Sequence, residues 1–152
     1  MLLAEFSRNQ IFASLPEPHA RLLFETGEVS TFPAGATLIR EGDTLERLFI
    51  LLRGRVEVFL PEAVNRVSAV RLTQLGPGDC FGEYAFIDHQ PASATIQAIE
   101  DAEIYSIPYD KLQQFLDSHP SAASLVYQNL LRILVRRLRT SNAELDLFTL
   151  SF

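Results

Sequence analysis

Gly82-Glu83 and, about ten residues on, Ala92-Ser93-Ala94-Thr95 are the residues whose types and spacing best suit the holding of a small molecule. Gly82 has no Cβ, so its backbone can come close to a ligand where any side chain would intrude. Glu83 offers a carboxylate that accepts hydrogen bonds from hydroxyls and repels phosphate, so its natural target is a sugar diol. The intervening Tyr84-Ala85-Phe86-Ile87 suits one apolar helical turn whose first amides face the same cavity and favour negative charge. After the corner Asp88-His89-Gln90-Pro91, the small side chains of 92–95 leave backbone amides uncovered just before a strand, and such amides hold an anion by geometry. Small residues before a strand are common; the pairing with Gly82-Glu83 is what singles this loop out. Residues 81–95 nevertheless contain no Lys or Arg, so an anion held there needs its counter-charge from elsewhere in the chain.

Other chemistries find less support. His19, His89 and His119 lie in different stretches, without the clustered imidazoles and carboxylates of a metal site, so a cupin-like enzyme is only a distant alternative and no metal ligands are assigned. Cys80 with a distant His makes no nucleophile pair. As the single cysteine it forms no disulfide within the chain and reads as a buried thiol in a reducing compartment. No enzymatic activity is expected. A formal charge of −6 and a pI near 5 argue against generic binding to nucleic-acid backbones or anionic membranes. The opening Met1 to Arg8 is charged too early for a secretory segment, and no apolar run approaches the ~18 residues of a membrane span. A cytoplasmic location is expected.

These candidate residues must be positioned by one domain, 1–152, in three parts: N-terminal helices in 1–27, a β region in 28–108 and C-terminal helices in 109–152. Leu3, Phe6, Ile11 and Phe12 have helical spacing over 3–14, and Pro18 to Phe24 forms a second short helix. Seven apolar or β-branched runs follow, at 29–32, 37–40, 48–52, 56–60, 67–75, 94–99 and 103–107, separated by turns such as Glu41-Gly42-Asp43 and Gly76-Pro77-Gly78-Asp79. Seven or eight strands at this spacing predict a sandwich, roll or barrel. A helix over 109–117 ends at Ser118-His119-Pro120, and a longer one runs from Pro120 past Leu145. Along it Leu131, Leu134, Leu138, Ser141, Leu145 and Phe148 recur in steps of three and four, the spacing of a homodimer seam, although packing on the roll gives the same stripe. Arg132, Arg136 and Arg139 are expected on the opposite, solvated face. Leu145, Leu147, Phe148, Leu150 and Phe152 suggest burial against the roll mouth or a second subunit.

The chain resembles the cyclic nucleotide-binding domains of bacterial catabolite-activator-type regulators, protein kinase A regulatory subunits and nucleotide-gated channels. The resemblance rests on several motifs in order: "IFASLPEPHARLLFE", "FPAGATLIREGD", "LFILLRGRVEVF", "GPGDCFGEYAFI…PASATIQA" and the closing "LRILVRRLRTSNAEL". It implies a mainly β fold with flanking helices: an antiparallel β-roll, or double-stranded jelly roll, with N-terminal helices and a long C-terminal helix. The implied function is that of a non-catalytic sensor, in which cAMP or cGMP binds inside the roll and moves that helix. No cofactor is implied.

Carried over by residue, the resemblance gives Gly82 a backbone contact and Glu83 the ribose 2′-hydroxyl, with Tyr84 and Ala85 in the same cassette. Ala92, Ser93 and Ala94 would meet the cyclic phosphate, Leu72 and Thr73 would line the base side, and Thr140-Ser141-Asn142, with Ser141 at its centre, would read the base edge. The seam Leu131, Leu134, Leu138 and Leu145 would pair two copies. The pattern departs at Ala92, where the family usually has Arg paired with the phosphate. His89 is close in sequence but reads as solvated, and Arg71 should face outward beside an inward Leu72. Losing such a pair costs about 2–5 kcal/mol and moves a micromolar binder towards millimolar. The alternative to a sensor is therefore a degenerate scaffold that no longer binds cAMP and serves dimerisation or an unidentified effector protein. With few residues after the long helix, direct DNA binding is not expected.

Overall fold

The structure, a computed structural model, describes residues 2–150 and the side chains of residues 2–145. The chain runs α1 (Leu2–Phe6), α2 (Glu17–Thr26), β1 (Glu28–Phe32), β2 (Thr37–Ile39), β3 (Arg47–Arg53), β4 (Val56–Leu60), β5 (Val70–Leu75), β6 (Cys80–Phe81), α3 (Glu83–Asp88), β7 (Thr95–Ala98), β8 (Ala102–Pro108), α4 (Tyr109–Ser118) and α5 (Pro120–Leu150). Two four-stranded antiparallel sheets, β1-β8-β3-β6 and β2-β7-β4-β5, form the roll, as the sequence predicts.

The apolar run of β3 explains how the layers stack, because successive side chains in a strand point to opposite faces. Leu48, Ile50 and Leu52 face a core shared with Leu23, Leu112, Phe115, Val126, Leu130 and Ile133 of α2, α4 and α5. Leu51, pointing the other way, joins Ile39, Val56, Leu75, Phe81 and Ile96 inside the roll. β8 divides likewise, with Tyr105 and Ile107 towards the helices and Ala102 and Ile104 towards the roll interior. The first sheet therefore has a core on each face, and the helical layer on its outer side carries α5 past the mouth of the roll.

Three local expectations need correction. The helix expected over 3–14 stops at Phe6; there Asn9 donates its side-chain amide to the Phe6 carbonyl and accepts from the Phe12 amide at 2.6 Å, an alternative that ends the helical ladder. The two-residue β6, paired with Phe49 and Ile50, was not among the expected runs, being too short to show a period. Residues 67–69 lie outside β5, and Val67 is fully exposed.

Candidate functional site

A cavity of about 560 Å³ lies between the mouth of the roll, the 82–94 loop and α5. The structure brings all ten predicted site residues to it: Gly82, Glu83, Tyr84 and Ala85 at the start of α3, Ala92, Ser93 and Ala94 before β7, Leu72 and Thr73 on β5, and Ser141 on α5. Ile39, Leu45, Val58 and Ile96 supply an apolar floor. Arg71 points away and pairs with Glu57, and exposed His89 lies outside the cavity lining, as expected of both.

Glu83 is the chemical centre of this wall. It is 1% exposed, and a buried carboxylate needs a partner. Its partner is Arg137 of α5, whose Nη1 donates to Glu83 Oε1 while Nη2 donates to the Cys80 carbonyl at 2.7 Å. The Tyr84 ring centroid lies 6.0 Å from the Arg137 guanidinium carbon, a cation–π contact at the edge of the range. Cys80 is buried beside this pair; burial pushes its thiol pKa up, helped by the charge of Asp79 and opposed by Arg137. The Tyr84 hydroxyl is likewise raised, chiefly by burial.

Gly82 earns its place through the fold. It caps α3 with φ +83°, in the left-handed region, and a Cβ there would stand 2.9 Å from the Arg47 carbonyl oxygen and 3.2 Å from the Phe49 ring. Its own carbonyl accepts from the Tyr109 hydroxyl, so α4 holds the beginning of the loop. Desolvation, with the nearby charge of Asp88, pushes Tyr109 up to about 12.

The anion cradle expected at 92–95 is partly used up by the fold. The Ala92 amide donates to the Asp43 carbonyl at 2.8 Å, the Ala92 carbonyl accepts from the Gly42 amide at 2.8 Å, and Thr95 Oγ1 accepts from the Glu41 amide at 3.0 Å. The 40–43 turn thus takes an amide that the sequence reading left free for a ligand.

Arg136 is exposed, as expected of a solvated face, but it also lines the cavity, which the sequence did not indicate: it donates from Nη2 to Gln10 Oε1 at 3.1 Å, and Gln10 in turn donates to Asp79 at 2.9 Å. Arg132 and Arg139 are exposed, as expected. Arg137, absent from the predicted site, was detectable: Val126, Leu130 and Ile133 form the buried stripe of α5, and Arg137 is its next position, one turn on.

Of the predicted seam, Leu131, Leu138 and Leu145 are exposed, whereas Leu134 packs against the helical core. Val135 and Tyr127 join the exposed apolar positions of α5. A second hollow, between α3, α4 and α5, includes Phe86, Ile87, Tyr127, Leu131 and Leu134. Leu147, Phe148, Leu150 and Phe152 of the expected apolar ending lie outside the described side chains. His19 and His119, read as separate, meet with ring centroids 4.9 Å apart because α2 packs beside the α4–α5 junction. Among the described residues no three His, Cys, Asp or Glu side chains cluster as a metal site would require, and no helix is long and apolar enough to cross a membrane.

The comparisons with known proteins agree with this geometry. The family model for the cyclic nucleotide-binding domain matches residues 29–119. Glutaminase 1 of Bradyrhizobium diazoefficiens is 34% identical over 121 residues, covering 80% of this chain and 19% of the glutaminase. The CRP-like cAMP-activated global transcriptional regulator of Mycobacterium tuberculosis is 32% identical over 114 residues, covering 75% of this chain and 48% of the regulator. The chain thus spans a fifth to a half of the length of these relatives. The crystal structure of a cyclic nucleotide-binding domain from Methylobacillus flagellatus superposes with a TM-score of 0.81 at 25% identity, covering 94% of this chain and 79% of that one. By its family match, its roll and its helix-capped cavity, the chain belongs to the cyclic nucleotide-binding domain family, whose domains regulate rather than catalyse.

Proposed function

We propose that the cavity is a ligand site for a ribose-bearing small molecule, the family's cyclic nucleotides being the first candidates, and that occupancy is passed to α5. The observation that carries this reading is the Arg137–Glu83 pair: the carboxylate best suited to a sugar diol is held by the helix that would carry the signal. A carboxylate has about four acceptor positions, so ribose hydroxyls can join Arg137 on Glu83. Sharing the carboxylate in this way alters the hold of the roll on α5. Two copies would pair along the apolar positions Leu131, Val135, Leu138 and Leu145, placing the moving helix at the contact with an effector or a second chain.

The test is calorimetric titration with cAMP and cGMP of the natural chain and an Ala92→Arg variant, with hydrogen exchange followed over residues 133–145. Binding accompanied by changed exchange in α5 supports the sensor. A second reading is favoured by Arg137 itself, since it already satisfies Glu83 and a roll locked in this way serves as a scaffold. Binding that leaves α5 exchange untouched selects the scaffold, and no binding of cAMP or cGMP by either chain removes the cyclic nucleotides as the ligand.

A further inference from the structure

Resting on the reading of this cavity as the ligand site, we infer that it selects an uncharged nucleoside over the corresponding cyclic phosphate. The charge on its walls is the first observation. Asp79, Glu83, Asp88 and Glu144 line it against Arg136 and Arg137, four carboxylates to two guanidiniums. Each of the thirteen lysines and arginines of the chain lies among the described residues, so no undescribed cation alters this balance.

The two guanidiniums are also engaged. Arg137 holds buried Glu83 and the Cys80 carbonyl. An anion that drew it away would leave a buried carboxylate without its counter-charge, which costs more than a new surface-accessible pair returns. Arg136 is exposed to water and donates to Gln10, which is bonded to Asp79, so the acid nearest to it in this chain of contacts already draws on its charge.

The 92–94 wall carries no charge in compensation. Ala92 carries no charge, its amide is committed to Asp43, and α3 is only six residues long, so its dipole is small. Neighbouring cations are turned away: Arg40 follows inward Ile39 on β2 and is exposed, Arg66 is bonded to Glu41 and the Pro61 carbonyl, and Arg71 to Glu57. A cyclic phosphate would therefore exchange water for a wall with a net negative charge.

An uncharged nucleoside meets none of these costs. Its vicinal diol can donate to Glu83 beside Arg137, and its base can lie on Leu72, Val58 and Ile96 with the Ser141 hydroxyl at one edge. The cavity volume of about 560 Å³ is ample for such a molecule.

The experiment is calorimetric titration of the natural chain and of Ala92→Arg and Glu83→Gln variants with adenosine, guanosine, cAMP and cGMP at one ionic strength. The natural chain is expected to bind a nucleoside at least about ten-fold more tightly than its cyclic phosphate, the size of one charge-assisted bond gained or lost. Ala92→Arg should reverse that order by strengthening the cyclic phosphate alone, and Glu83→Gln should weaken the nucleoside. Equal affinities, or a cyclic phosphate bound more tightly by the natural chain, overturn the inference while leaving the ligand site in place. Cyclic phosphate bound by Ala92→Arg, with no nucleoside bound by any variant, does the same. If none of the four compounds binds any variant, the ligand-site reading falls together with the inference.

Discussion

Arg137 of α5 reaches across the cavity to pair with Glu83 at the start of α3, joining the helix to the loop through a carboxylate that is almost wholly buried. Removing one member of such a pair strands the other charge, at a typical cost of about 3–5 kcal/mol. Arg137 is 29% exposed, which places Arg137→Gln near the lower end of that range. The double variant Glu83→Gln/Arg137→Gln, which removes both charges, should recover much of the loss. Urea unfolding checks both, and a single variant within about 0.5 kcal/mol of the natural chain would show that the pair holds nothing in place.

The Tyr109 phenol donates to the Gly82 carbonyl and is pushed up to about 12 by desolvation and by Asp88. In the unfolded chain the same phenol ionises near pH 10. The folded chain therefore binds more protons across the interval between these values, so the stabilisation is full below about pH 10 and is lost as pH rises towards about 12. Tyr105, buried and donating to the Leu23 carbonyl, is raised in the same direction by desolvation and adds to the slope. Chemical unfolding between about pH 9 and about pH 11.5 should show stability falling with pH, less steeply in Tyr109→Phe. An unchanged slope in that variant would remove Tyr109 from the account.

Cys80 faces the helical core, and burial keeps its thiol protonated. Since the thiolate is the reactive form, alkylation has to wait for the site to open. Iodoacetamide at about pH 8 is expected to modify the folded chain at least about a thousand-fold more slowly than the urea-unfolded chain, in line with an ordinary folding equilibrium. Labelling at the unfolded rate under native conditions would mean that the strand before Gly82 opens freely.

How much of this was legible in the sequence depends on the range of each interaction. Gly82 and Glu83 announce themselves because neighbouring residues supply both the turn and the carboxylate, and the β-roll follows from strand runs with turn signals between them. Arg137 is one step harder. It extends the buried stripe Val126, Leu130, Ile133, but the three arginines Arg136, Arg137 and Arg139 look alike as composition, and only the phase of α5 separates them. The commitment of the Ala92 amide to Asp43 is beyond any local signal, since it joins residues 49 positions apart through a turn that the sequence marks only as a turn. Asn9 misled in the opposite direction: the apolar spacing of 3–14 continues a helix that its side chain interrupts.

The apolar face of α5 carries the last prediction. Leu131 and Leu138 are each 62% exposed, seven residues apart on one side of the helix, with Val135 between them. Such a row is costly to leave in water, roughly 25 cal/mol for each Å² of apolar surface, and a second α5 crossing it in the coiled-coil manner removes that cost for both copies. Sedimentation should therefore find the natural chain dimeric at micromolar concentration and a Leu131→Glu/Leu138→Glu variant monomeric, with the fold of the variant intact because neither side chain enters the core. Leu134→Glu should behave differently and lower stability outright, since Leu134 packs against the core beneath the row. A monomeric natural chain, or a double variant that still dimerises, would place the contact elsewhere and leave the row to some other partner.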